Sequence, residues 1–159
     1  MLIRSLAMAM GLTGAVSFAQ YPEYAQQYVQ RLGGAVDELA GIAILFDGAA
    51  SAAGVTRAEA LAELQGSAFL DQHGRDMAQT LARYDALKAD LAVLQGGTAR
   101  RLALLPTRMD TDIAARTWAA FQPAVPVTPT GLGFAGGGFV AGWGLFSLLT
   151  LPFRRRRHA

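Results

Sequence analysis

His73 lies two residues after Asp71 and three before Asp76, the one histidine in the chain with carboxylates this close. An imidazole oriented by a carboxylate can act as a general base or hold a metal ion. Two residues on a helix are about 200° apart, however, so Asp71 faces away from His73. The central part of the chain has no second histidine, and no serine lies in a nucleophile-elbow motif. The carboxylates Asp37-Glu38 and Asp110/Asp112 could meet a divalent ion, but hard cations gather about six or more oxygens. No cysteine is present, which excludes thiolate zinc, iron–sulfur and cysteine-nucleophile chemistry. These residues read as a surface histidine near a helix start and solvated helix faces. The expectation is a protein that is not an enzyme, with no catalytic residues, no metal site and no cofactor.

A different chemistry is written at the carboxyl-terminal end. Residues 131–153 carry no charge and are followed by Arg154, Arg155, Arg156 and Arg157. Such a run, roughly 34 Å long as a helix, crosses a hydrocarbon core of about 30 Å. Arginines beside a span stay on the cytoplasmic side, so the four of them orient the chain and offer contact to anionic lipid. Within the span, Gly133 and Gly137, then Gly138 and Gly142, form two overlapping GxxxG registers, and Gly133, Gly137 and Ala141 make one small-residue stripe. Small residues let helix backbones approach closely in lipid, where leucine burial offers no advantage over acyl chains. The partner would be the amino-terminal helix, a second copy of the chain or another protein.

The amino-terminal end is also apolar. Arg4 precedes the uncharged run 5–19, which ends in Ser17-Phe18-Ala19. A cleavable signal peptide and a retained membrane helix both fit. Retention is favoured, because Tyr21, Tyr24 and Tyr28 follow where an interfacial aromatic belt sits. Alanine or glycine at 7, 11, 15 and 19 supplies another small-residue stripe. Either way residues 20–122 are exported.

Charge placement agrees. All twelve acidic residues, but only nine of the fourteen lysines and arginines, lie between Gln20 and Thr130. The calculated pI of 9.4 therefore comes from Arg4 and the terminal arginines, and no nucleic-acid partner is expected.

Between the apolar ends the pattern is helical. Tyr28, Leu32, Ala35 or Val36, Leu39, Ile42 and Phe46 recur at three- and four-residue steps, with Pro22 placed for a first helical turn. A turn follows at 47–54. Thr56 and Glu59 have capping-box spacing, and Leu61 and Leu64 follow before Gly66 and Ser67 interrupt. Met77, Leu81, Tyr84, Leu87, Leu91 and Leu94 share one face of the next helix, which Gly96-Gly97 ends. Leu102, Leu105, Met109 and Ile113 mark the last, with Pro106 kinking or restarting it. Pairs at i,i+4 are expected for Asp71 with Arg75 and Asp112 with Arg116. No strand pattern is present. Pro123, Pro126 and Pro129 make 123–130 an extended spacer.

The expected fold is all-α: a membrane-anchored antiparallel bundle of three to four helices, at about 24–46, 57–69, 71–95 and 99–121. It is flanked by an amino-terminal apolar helix and a carboxyl-terminal transmembrane helix. The expected divisions are 1–19, helix or signal peptide; 20–122, bundle; 123–130, linker; 131–153, span; 154–159, basic tail.

The stretch YPEYAQQYVQRLGGAVDEL, Tyr21 to Leu39, resembles the start of an uncharacterised bacterial membrane-protein family, a domain of unknown function. FLDQHGRDMAQTLARYDAL, Phe69 to Leu87, is similar to that family's central segment. The resemblance implies a bacterial inner-membrane protein and transfers no catalytic residue. Two functions are expected from these features. One is a non-catalytic interaction or scaffold protein, its central domain periplasmic and its carboxyl terminus cytoplasmic, whose partners are membrane lipid and another membrane or periplasmic protein or a second copy. The other is a sensory, ligand-binding input domain; six residues follow Phe153, so its signal would pass to a partner.

Overall fold

The computed structural model describes residues 2–155. The fold is all-α: α1 Leu2–Ala52, α2 Arg57–Glu63, α3 Ala68–Leu94, α4 Thr98–Arg108, α5 Thr111–Ala119 and α6 Pro129–Arg155, with no strand among the described residues. The chain divides into two compact units. One comprises residues 1–27 and 116–159, the other 28–115.

α1 is one uninterrupted helix of 51 residues with Pro22 inside it, not two helices with Pro22 opening the second. A proline costs a helix one main-chain hydrogen bond and some crowding of the turn before it. The bonds on either side persist here, so an interior proline did not mark a boundary. The buried positions of α1 change character along its length. They are Ala7, Gly11, Ala19 and Ala25 up to residue 25, then Tyr28, Val29, Leu32 and Val36, with Ala43 and Ala50 buried nearer its end. Small residues let another backbone come close, whereas large ones fill space between helices.

In the unit 28–115, α1 ends in a Schellman motif: Val55 N–H donates to the Ala50 carbonyl (3.0 Å) and Gly54 N–H to that of Ser51 (3.1 Å). Gly54 takes φ +77° there, a conformation that a side chain would strain. Thr56 and Glu59 form the reciprocal capping box of α2. Ser67 caps α3, accepting from Leu70 N–H (3.2 Å). The helix therefore starts three residues before Asp71. Gly74 of α3 sits against α2, where a β-carbon would stand 2.9 Å from the Leu64 carbonyl oxygen.

α4 returns along α3 in the opposite direction. Arg101 Nε donates to the Leu94 carbonyl (3.1 Å) and Arg108 pairs with Asp90 (3.1 Å), with Leu94 and Leu105 fully buried. Each such leucine contributes about 1.5–3 kcal/mol by leaving water. Pro106 lies inside α4, and the chain breaks after Arg108. Asp110 then caps α5, its carboxylate accepting from Ile113 N–H (3.0 Å). Tyr28 belongs to this core and not to an aromatic belt. It is fully buried, and its hydroxyl accepts from Asp110 N–H (2.9 Å).

In the unit formed by 1–27 and 116–159, the segment 121–127 has no regular structure. Pro129 and Thr130 open α6 rather than closing the spacer expected over 123–130. Thr128 Oγ1 accepts from Gly131 N–H (3.1 Å), capping the helix.

Candidate functional site

The first part of α1 and α6 run antiparallel, and their contact is made by backbone. Gly138 lies against the Gly14 carbonyl and Phe18, where a β-carbon would stand 2.7 Å from that of Phe18. Gly142 lies against Met10 and Gly14, with an added β-carbon 3.4 Å from Gly14 Cα. Gly11 is covered by the Phe139 ring, 2.7 Å from where its own β-carbon would be. Contacts this short exclude any side chain at 14, 138 and 142 unless the helices part. Ala7 and Ala19 are buried, so three of the four positions 7, 11, 15 and 19 lie inside, and Ala15 is half-buried. A β-carbon added at Gly133 or Gly137 would meet no atom of another element within 4 Å, and Ala141 is exposed. Only the 138/142 register meets α1.

The outside of this pair is apolar. Leu6, Met8, Leu12, Val16 and Phe18 of α1 and Leu132, Val140, Leu145, Leu148 and Leu149 of α6 are exposed. Of the described helices, one is by itself long and apolar enough to cross a membrane, over Pro129–Thr150.

The two ends of the pair differ. At one, Tyr21 meets Phe134 (ring centroids 5.9 Å), and Tyr24 stands edge-on to Trp118 (6.0 Å) and Phe121 (5.9 Å), which stack on each other. Trp118 is 71 % exposed. Here two glutamines grip the segment 121–127 by its main chain. Gln20 donates to the Ala124 carbonyl (3.2 Å) and accepts from Ala124 N–H (3.1 Å). Gln27 does the same with Gln122 (2.9 and 3.3 Å). At the other end, a cleft of about 330 Å³ opens between Ile3, Arg4, Ala7 and Met8 of α1 and Trp143, Ser147 and Thr150 of α6. Arg154 and Arg155 close α6; Arg156 and Arg157 lie outside the described residues.

A family model described as "Protein of unknown function (DUF2937)" matches residues 2–159. The chain belongs to the DUF2937 family. No curated protein and no solved structure matches it.

In this DUF2937 chain the histidine and the carboxylates around it sit on helix surfaces. His73 is exposed and stacks on Phe69 (6.0 Å, 1° between planes). Asp71 accepts from Gly66 N–H (3.2 Å) and Asp76 from Gln72 (2.7 Å). Arg75 donates to Gln72 (2.7 Å). Arg83 reaches Asp110 (3.1 Å) and Asp112 (3.8 Å), ahead of the expected Asp112–Arg116 pair. No group of three or more histidine, aspartate or glutamate side chains gathers as a metal ion would require, among the described residues.

The most constrained ionic group is Arg57, which grips Asp47 with two nitrogens (2.7 and 2.6 Å) and reaches Asp85 with a third (3.0 Å). It ties α1, α2 and α3 together. The hydrogen bonds from Arg57 hold Asp47 below the usual carboxylate range. The Thr56 backbone and hydroxyl do the same to Glu59. An open cleft of about 290 Å³ lies between α2 and α3, lined by Leu61, Leu64, Gln65, Asp71, Gly74, Arg75 and Ala78.

The DUF2937 sequence signals the glycines at 138 and 142 but not the glutamine grip. Its only sequence trace is two amides seven residues apart, which put both side chains on nearly the same face of α1.

Proposed function

We propose that this DUF2937 protein is a non-catalytic accessory or scaffold protein of the bacterial inner membrane. The first 25 or so residues of α1 and the whole of α6 form a helical hairpin in the bilayer. The unit 28–115 is an antiparallel helical bundle standing in the periplasm. One observation carries the reading. The 1–27/116–159 unit has glycine and alanine inside and leucine, methionine and phenylalanine outside, an arrangement suited to lipid and costly in water. The antiparallel run of α1 and α6 brings Arg4 and the carboxyl-terminal end of α6 to one end, and arginine before the first apolar run and after the last marks the cytoplasmic side. The aromatic cluster at the opposite end suits the outer interface.

Retention of the first helix is part of this reading. α1 passes unbroken through Ala19-Gln20, and removal of 1–19 would strip Gly11 and Gly14 from α6. The interaction role draws on the far part of α1, where Ile42, Ile44 and Leu45 stand exposed among Gly41 and Gly48. Apolar side chains clustered on a water-facing helix mark contact surfaces. A sensory role is the second reading, favoured by the α2–α3 cleft alone.

The absence of cysteine makes the topology directly testable. Ala86→Cys in whole cells should react with a membrane-impermeant maleimide after the outer membrane is opened. Ala159→Cys should react only after the inner membrane is opened too. The protein should stay in the membrane pellet after carbonate extraction, and its mass should include residues 2–19. Release into the supernatant, or the reverse labelling pattern, would refute the hairpin. Crosslinking in cells through Leu45→Cys should then yield an adduct with a second chain; loss of that adduct in Ile44→Asp would tie the contact to this face.

A further inference from the structure

The cleft at the arginine end is wide, and its lining is of two kinds. Ile3, Ala7, Met8 and Trp143 make an apolar wall, whereas Arg4, Ser147 and Thr150 are polar. The Thr150 hydroxyl is used within α6, donating to the Phe146 and Ser147 carbonyls (3.0 and 3.1 Å). Arg4 has no ionic or hydrogen-bonding partner among the described residues, and the Ser147 hydroxyl has none either. Among the described residues each arginine in an ion pair answers an aspartate. Arg4 faces a cleft without a carboxylate.

We propose that this cleft binds the headgroup of an anionic phospholipid. The Arg4 guanidinium and the Ser147 hydroxyl would take the phosphate, and the apolar wall would hold the first carbons of the acyl chains. An arginine fork matches two phosphate oxygens at once. A cleft of about 330 Å³, equal to roughly ten water volumes, accommodates the diester and its glycerol. Charge complementarity names the occupant. Thr150 lines the cleft, and the arginine run starts four residues later, roughly 6 Å along the helix axis. The inference rests on the hairpin lying in a bilayer and adds to that reading a lipid class and a place for it.

The test uses the full chain reconstituted in vesicles of phosphatidylglycerol and phosphatidylcholine in equal amounts, re-extracted in mild detergent and examined by native mass spectrometry. The wild type should retain phosphatidylglycerol in preference. Arg4→Gln should lower that preference about fivefold, the effect of one arginine beside anionic lipid. Arg4→Lys should keep part of it, and Ser147→Val should lose less than Arg4→Gln. Both residues are outside the core, so helix content and melting should not change. Millimolar inorganic phosphate should fail to displace the lipid, because it gains nothing from the apolar wall; displacement would overturn the assignment to lipid. Unchanged retention in Arg4→Gln, with loss only when Arg154 to Arg157 are all replaced by glutamine, would overturn the cleft while leaving the hairpin standing. A chain that never enters the vesicles would sink both.

Discussion

The two units solve the same packing problem with opposite residues. Unit 28–115 buries Tyr28, Leu32, Leu81, Leu94 and Leu105 and lays arginine–aspartate pairs across its surface. The other unit brings Gly14, Gly138 and Gly142 into backbone contact and turns its leucines outward. In water, burial of large apolar groups drives helices together, whereas in lipid only close fit and hydrogen bonding do. One chain thus carries two packing rules, and the changeover falls on α1 between Ala25 and Tyr28.

That comparison can be broken most directly at the leucines. Leu105→Ala or Leu94→Ala should cost about 2–5 kcal/mol, because each leaves a cavity in a filled core. Leu12→Ala and Leu148→Ala, exposed on the helix pair, should stay within about 0.5 kcal/mol. The readouts separate cleanly. Both tryptophans, Trp118 and Trp143, lie in the 1–27/116–159 unit, so their fluorescence follows that unit, and amide hydrogen exchange within α3 and α4 follows the other. Equal losses from core and outward leucines would erase the distinction.

Gly138→Val should cost about 1–3 kcal/mol by forcing helices apart, as overfilled cores do. Gly133→Val, with open space around it, should change the tryptophan signal little. Tyr28→Phe comes next, at about 1 kcal/mol, because Asp110 N–H loses its acceptor while the ring still fills its place.

The smallest effect concerns acid. Asp47 and Glu59 titrate lower in the folded chain than in an unfolded one. Their contribution is present above the ordinary carboxylate range, about pH 4, and is lost as pH falls through the depressed folded values. The melting temperature of the full chain in detergent should therefore drop below about pH 4. In Arg57→Gln the drop should be shallower, since Asp47 then titrates alike in both states. An unchanged slope would remove Arg57 from the account.

Local devices were readable in advance because their partners are neighbours in sequence. Thr56 and Glu59 stand three apart and close on each other, and Gly97 marks the end of α3, whereas α1 runs on to Ala52 through most of the stretch 47–54 expected as a turn. Pro22 misled because a long helix absorbs the loss of one bond. The glycines of α6 present two faces, and only the approaching helix decides which is used. Arg83 prefers Asp110, 27 residues away, over any pairing within its own helix. Gln20 and Gln27 were silent for the same reason, since their partners are main-chain groups 104 and 95 residues distant.

Those two amides also limit how the chain can change in length. Each inserted residue turns everything after it on a helix by about 100°. One extra residue between 20 and 27 would leave the first grip intact and swing the second out of reach. Insertions and deletions should therefore be rejected within that single heptad, a rule about spacing that holds even where side-chain identities drift.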